Sequence, residues 1–202
     1  AVQVSGEIAT FFQAQLDTLR LQSDRLLNST APDEQSAALV RLRAQFPYIF
    51  NDLRLYDGSG RVQLSAAGPL SEVLARGAQY AAAPADAAVA HALASRTIVV
   101  SPVAFRPLAG TPYITTTLPL LRCEGAAPCE AAGAIQAQID LRSFWTKVDG
   151  FRIEDGAVTI VDNRGVIVAH PDRRQVGAQI DQEALAGVFR GLEGTTSYRR
   201  GG

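Results

Sequence analysis

The sequence predicts an α+β fold: one long N-terminal helix, then two tandem modules built on antiparallel sheets, the second of them incomplete. Three observations carry this expectation. Apolar residues recur at helical spacing over residues 1–30. The apolar period changes from helical to two after Pro47. One hairpin pattern then occurs twice: LRLYDGSGRVQLSA (53–66) and VTIVDNRGVIVAHP (158–171) both read apolar strand, Asp-x-x-Gly, apolar strand, at an offset of 105 residues. Such a repeat implies two copies of one supersecondary unit.

The elements follow in order. Ile8, Phe12, Leu16, Leu19 and Leu26 form the stripe of the first helix, while Ser5, Ala9 and Ser23 weaken it as a coiled-coil seam. The stretch Asn28-Ser29-Thr30-Ala31-Pro32-Asp33 ends that helix and caps a second, which runs to about Gln45 with Leu39, Leu42 and Phe46 on one face. Leu53 and Leu55 then alternate with polar neighbours, as a half-buried strand does. Asp57-Gly58-Ser59-Gly60 turns the chain, because Gly tolerates positive φ and Asp bonds its own backbone. Pro69 to about Tyr80 reads as a helix, and Pro84 opens another with Val89 and Leu93 four apart. Three strands follow, at Thr97–Phe105, Pro112–Leu120 and Gly133–Leu141, which makes five in the first module. Asp140 to Lys147 leads out helically. The second module, from about Ala157, offers its hairpin, a helix near Asp181–Leu192 and one strand at Thr195–Arg199. The expected boundaries are thus 1–46 for the helical region, 47–150 for the first module and 151–202 for the second.

Composition narrows the function. Hydrophobic residues make up 47% and charged residues 19% of 202, as a packed core requires. A net charge of −1 lacks the basic excess that nucleic acid demands. No apolar run reaches the roughly 18–20 residues of a membrane span. The chain begins without Met and contains none, so it reads as an excised or processed piece of something longer, which leaves room for flanking membrane segments that this sequence does not show. Enzyme signatures are lacking: there is no G-x-S-x-G, no H-E-x-x-H and no phosphate-cradling loop. His91, in an Ala-rich helix, and His170, before Pro171-Asp172, read as packing, surface or capping residues. Asp57 and Asp162 open like calcium loops but lack the alternating carboxylates and distal Glu. No metal or cofactor is expected.

Cys123 and Cys129 lie six apart in RCEGAAPCE, around Gly125 and Pro128. A disulfide there would clip the loop and contribute about 2 kcal/mol by the chain-entropy model. It would also require an oxidising compartment. Two unpaired loop thiols are the alternative.

The ordered set of features resembles the double Cache family, whose extracytoplasmic sensors pair a long helix with two tandem PAS-like domains. The resemblance rests on the N-terminal helix, the LYDGSGRV and IVDNRGVIVAHPD hairpins, the paired strands of VVSPVAFRPLAGTPYITTTLPL, and GAIQAQIDL as the strand closing a first module. It covers nearly the whole chain. Single-module CHASE sensors are the nearest competitor, and the second hairpin argues against them. The resemblance implies a periplasmic domain of an inner-membrane receptor, not itself an enzyme, that binds a small molecule and signals to a cytoplasmic output. A histidine kinase is the expected output. A diguanylate cyclase, a chemotaxis receptor, or a ligand-free structural or dimerising ectodomain are the alternatives. The apolar stripe of the first helix suggests a homodimer.

The resemblance also implies where a ligand would sit. The family's amino-acid-binding branch carries Arg-x-Trp-Tyr, then a Tyr and an Asp before the strand turn, and a final Asp. Here Tyr80 matches the Tyr, but Gln79 and Gly77 replace the Trp and Arg, with Arg76 one position off. Arg106 stands where an acid is expected, and Asp140 matches the final Asp. An arginine fork suits a carboxylate. Tyr113, Thr115 and Thr117 share a strand face and add neutral donors. The expected ligand is therefore a small organic anion rather than a free amino acid, held by Tyr80, Arg106, Tyr113, Thr115, Thr117 and Asp140. The alternative is that Arg106 lies on a solvated turn and the threonines merely fill a strand.

Overall fold

The computed structural model describes residues 2–28, 31–67, 86–106, 109–123, 125, 128–150 and 158–180. The chain divides into two compact units. The larger holds Ala14–Ser101 and Ile114–Asp140; the smaller holds Ala1–Gln13, Pro102–Tyr113 and Leu141–Gly202.

Helix α1 covers Val2–Asn28 and α2 covers Pro32–Gln45. In the larger unit the buried stripe of α1 is Gln15, Leu19, Ser23 and Leu26, so the stripe includes a serine that the sequence suggested would weaken it. The Ser23 hydroxyl is satisfied by donating to the Arg20 carbonyl. Helix α2 starts on Ala31 without a side-chain cap. Pro at the first position, whose missing N–H costs nothing there, and Asp33 and Glu34 in the first turn favour its start. Gln35 donates to the Leu26 carbonyl at 2.9 Å, satisfying one of the acceptors a helix end leaves open.

Five strands of the larger unit lie in the order β2-β1-β6-β5-β3, all neighbours whose register is resolved being antiparallel. They are β1 Phe50–Asp57, β2 Val62–Ala67, β3 Val99–Val100, β5 Pro112–Arg122 and β6 Glu130–Asp140. The expected strand Thr97–Phe105 is broken into β3 and β4, Ala104–Phe105, with Pro102 between them. A proline has no N–H to give a ladder, and the sequence reading passed over it. The observed architecture is α+β with antiparallel sheets. The helix expected at 69–80 lies outside the described residues.

The sheet's faces follow from register. Leu53 pairs with Ala137, Leu55 with Ile135 and Phe50 with Ile139, and all six are buried. Helix α2 packs on β1 and β2. The alternate positions, Asp52, Arg54 and Tyr56, pair with Gln138, Gln136 and Ala134. Helix α3, Ala87–Ser95, packs on β6 and β3, with Val89 and Leu93 against Tyr56 and Ala134. Gly133 lets β1 and β6 approach: a Cβ there would sit 2.4 Å from the Tyr56 carbonyl oxygen.

In the smaller unit, Phe11 and Phe12 of α1 pack edge-on against Phe144 of α4, Ser143–Gly150, at 5.2 and 5.7 Å. Trp145 donates to the Val168 carbonyl at 3.0 Å, and the Arg173 guanidinium lies 4.9 Å from the Trp145 ring centroid. These contacts hold α4 to the hairpin of β7, Ile160–Val161, and β8, Ile167–Ala169. His170 accepts from the Asp172 backbone N–H, a local capping role. The helix near 181–192 and the strand at 195–199 lie outside the described residues.

The two copies of Asp-x-x-Gly close in the same way. Asp57 Oδ1 accepts from the backbone N–H of Ser59 and Arg61; Asp162 Oδ1 accepts from those of Arg164 and Val166. The glycines take φ of 79° and 80° at Gly60 and Gly165. The shared pattern is thus one piece of turn chemistry used twice.

Candidate functional site

The α3-facing side of the larger unit's sheet is polar where a plain core would be apolar. Gln136, 6% exposed, stands at its centre. Its Nε2 donates to Asp86 Oδ2 at 2.7 Å and to Thr117 Oγ1 at 3.2 Å, and its Oε1 accepts from the Tyr56 hydroxyl at 3.1 Å. Both amide hydrogens are therefore used. Asp86 is also the N-cap of α3, accepting from Ala88 N–H at 3.0 Å, so one carboxylate ties the helix start to the sheet. Burial lifts the Tyr56 phenol above its ordinary pKa while Arg54 pulls it the other way, and the neutral phenol is the donor to Gln136.

On β1, Arg54 Nη2 meets Asp52 Oδ2 at 2.9 Å. Asp52 is 5% exposed, and among the described residues its Oδ1 has no hydrogen-bond partner. Further along the same face, Asp140 of β6 is buried and accepts from Asn51 Nδ2 at 3.0 Å.

Of the residues expected at a ligand site, Thr115, Thr117 and Asp140 belong to this unit. Thr117 and Asp140 are buried, and Thr117 is engaged by Gln136. Thr115 is half-buried and its backbone N–H and carbonyl are both held by Ser101. Arg106 and Tyr113 belong to the smaller unit, where the half-buried guanidinium lies 5.6 Å from the ring centroid. The turn between them closes through Arg106 N–H to Thr111 O and Gly110 N–H to Arg106 O. Tyr80 lies outside the described residues. Cys123 and Cys129 are bonded to each other, with Cα atoms 4.2 Å apart. Among the described residues no group of three His, Cys, Asp or Glu is placed to hold a metal, and no helix is long and apolar enough to cross a membrane.

Sequence reasoning missed Asp52, Tyr56, Asp86 and Gln136. A signal was present: Asp52, Arg54 and Tyr56, and Gln136 and Gln138, are polar at period two within otherwise apolar strands.

No protein-family model matches the chain, and no curated protein matches it. Solved structures do. The ligand-binding domain of the Pseudomonas aeruginosa PAO1 amino acid chemoreceptor PctC, in complex with GABA, is 15% identical over 90% of this chain and 76% of its own, with a TM-score of 0.67. The sensory domain of the Campylobacter jejuni chemoreceptor Tlp3 (CcmL) is 13% identical over 93% of this chain and 75% of its own, at 0.69. The ligand-binding domain of the Pseudomonas fluorescens chemoreceptor CtaA, in complex with L-serine, is 16% identical over 90% of this chain and 73% of its own, at 0.59. The fold is that of chemoreceptor ligand-binding domains. At such identities the likeness speaks for architecture, so the chemistry of the site must be argued from this chain's own residues. Among the described residues, the sheet face under α3 gathers the buried polar side chains of Tyr56, Thr117 and Gln136.

Proposed function

We propose that this chain is the extracytoplasmic ligand-binding module of a transmembrane receptor, that it senses a small organic molecule, and that its output is of the chemotaxis type. The observation that carries the reading is the polar, hydrogen-bonded sheet face under α3, in a fold shared with domains crystallised with GABA, asparagine and L-serine. A histidine kinase output, the expectation from sequence, gains no support from these neighbours, all chemoreceptors by name where their output is named. The neighbours are ligand-binding domains rather than enzymes, in keeping with a sensing role. A periplasmic location is part of the proposal, and the bonded Cys123–Cys129 pair suits an oxidising compartment.

Thr115, Thr117 and Asp140 are the proposed site residues of the larger unit. A carboxylate in the ligand is the finer part of the reading; GABA, asparagine and serine each carry one. Arg106→Ala tests the anchor assigned to it. Homodimerisation through α1, which exposes Leu21 at 62%, is proposed as well; sedimentation as a monomer at high concentration, with and without an added ligand, would count against it.

Thermal-shift screening of the chain against amino acids and simple carboxylates tests the whole. A ligand at a hundred times its Kd contributes about 2.7 kcal/mol, a shift of a few degrees for a domain of this size. No response to any compound would overturn the sensing reading.

A further inference from the structure

The internal repeat supplies its own control for one residue. Asp57-Gly58-Ser59-Gly60 and Asp162-Asn163-Arg164-Gly165 close with the same backbone hydrogen bonds, yet their third positions differ. Ser59 keeps to its own turn, where its Oγ donates to Asp57 Oδ1 at 2.6 Å. Such a turn therefore has no need of an arginine. Arg164 reaches out of its turn. Its Nε and Nη2 donate to Asp162 Oδ2 at 3.0 and 2.9 Å, and Nη2 also donates to the Val103 carbonyl, 61 residues away, at 2.6 Å. Asp162 already holds the guanidinium, so the reach costs little further side-chain entropy.

The accepting carbonyl is open for a local reason. Pro102 interrupts the strand, and Val103 lies outside both registers, that of β3 with β5 and that of β4 with β5. Two residues on, Phe105 faces the loop that follows the hairpin: a Cβ added at Gly177, where φ is +90°, would lie 3.9 Å from its ring. Gly177 N–H donates to the Ile167 carbonyl of β8, and Ile167 N–H donates to the Ala178 carbonyl. A polar and an apolar contact thus join β4 to the second hairpin within the smaller unit. In turn, β4 pairs with Pro112 and Tyr113, the first residues of β5, and β5 runs on unbroken through Thr115 and Thr117.

We propose that Arg164 is a positioning residue for signalling, a latch that makes the hairpin of the second module follow β4 and, through it, β5. The proposal deepens the sensing reading, on which its signalling meaning rests: a change at the β5 threonines reaches the second module by this route.

The test is amide hydrogen exchange, followed by NMR on the whole 202-residue chain, with the Ile167 and Gly177 amides as the readout. Thr117→Val disturbs β5 by removing the hydroxyl that Gln136 engages. Arg164→Ser gives the second turn the residue of the first, so the turn still closes. With Arg164 present, Thr117→Val should speed exchange of both amides about three- to ten-fold, on the order that one lost hydrogen bond gives. In the Arg164→Ser background the same change should leave them as they were. An arginine that only braces its turn would raise the starting exchange rates in Arg164→Ser without altering the response to Thr117→Val. That result, or no response in the chain with Arg164, would overturn the proposal. Circular dichroism establishes folding. Ser101→Ala, which removes the acceptor of the Thr115 N–H, and Arg164→Gln stand in for a variant that does not fold, with the same outcomes deciding. No ligand enters the measurement, so a failure of the sensing reading, seen as no thermal shift with any compound, is told apart from a failure of the latch.

Discussion

Gln136 and Asp86 meet at 2.7 Å although 50 residues separate them, and the contact joins the middle strand of the sheet to the first turn of α3. The amide gives one hydrogen to Asp86 and one to Thr117 and takes one from Tyr56, so four elements depend on a single side chain. Replacing Gln136 with Leu would take away the acceptor of the buried Tyr56 phenol and the donor to the buried Thr117 hydroxyl. We expect a loss of about 1–3 kcal/mol for that reason, read from the urea midpoint. Asp86→Ala should cost about 1 kcal/mol for the lost cap, and a double-mutant cycle should show the two substitutions to be less than additive.

Gly133→Ala should be among the most damaging small substitutions in the larger unit. The added Cβ would lie 2.4 Å from the Tyr56 carbonyl oxygen, so β1 and β6 must part where Asp57 pairs with Gly133. A loss of about 1–3 kcal/mol is expected for such overpacking. Gly110→Ala is the control. Nothing lies within 4 Å of its Cβ position, and only its φ of +58° resists the side chain, at about 1 kcal/mol. Thermal melts of the two variants should rank them in that order.

The Asp57 turn should make stability fall in acid. Hydrogen bonds from Ser59 and Arg61 hold the Asp57 carboxylate at a pKa of about 2, below the ordinary aspartate range. A lowered folded pKa means that the contribution is whole above about 4 and is lost as pH falls towards 2. Asp162 behaves alike: burial pushes it up, but hydrogen bonds from Val166 and Arg164 outweigh that and leave it lowered. Melting temperatures from pH 5 to 2 should therefore drop, and Asp57→Asn should flatten part of the drop. Because Asp57 is at the surface, the effect should shrink in high salt.

Reducing Cys123–Cys129 should lower stability by about 2 kcal/mol, since the bond closes a short loop at one end of the β5–β6 pair. Denaturation with and without reductant measures this. Paired Cys→Ser substitutions should give the same loss without any further response to reductant.

Much of this fold follows from rules that act over a few residues. Leu19 and Leu26, or Leu39 and Leu42, reveal buried helix faces because helical spacing is local. Asp57 and Asp162 reveal hairpins because each carboxylate satisfies backbone donors two and four positions on. What the sequence left undetermined was long-range pairing. Asp140 was legible only through a resemblance, whereas Asp52, Tyr56 and Gln136 came to share one face only once Asp52 was set against Gln138 and Arg54 against Gln136. Shifting that register by one residue would turn all of them to the opposite face, and nothing within β1 or β6 alone fixes it. The break at Pro102 is local in cause, and the sequence held it. Which polar side chains end together under α3 was decided only by tertiary structure, because strands some 80 residues apart, as Tyr56 and Gln136 are, find their register through the packing of the whole sheet.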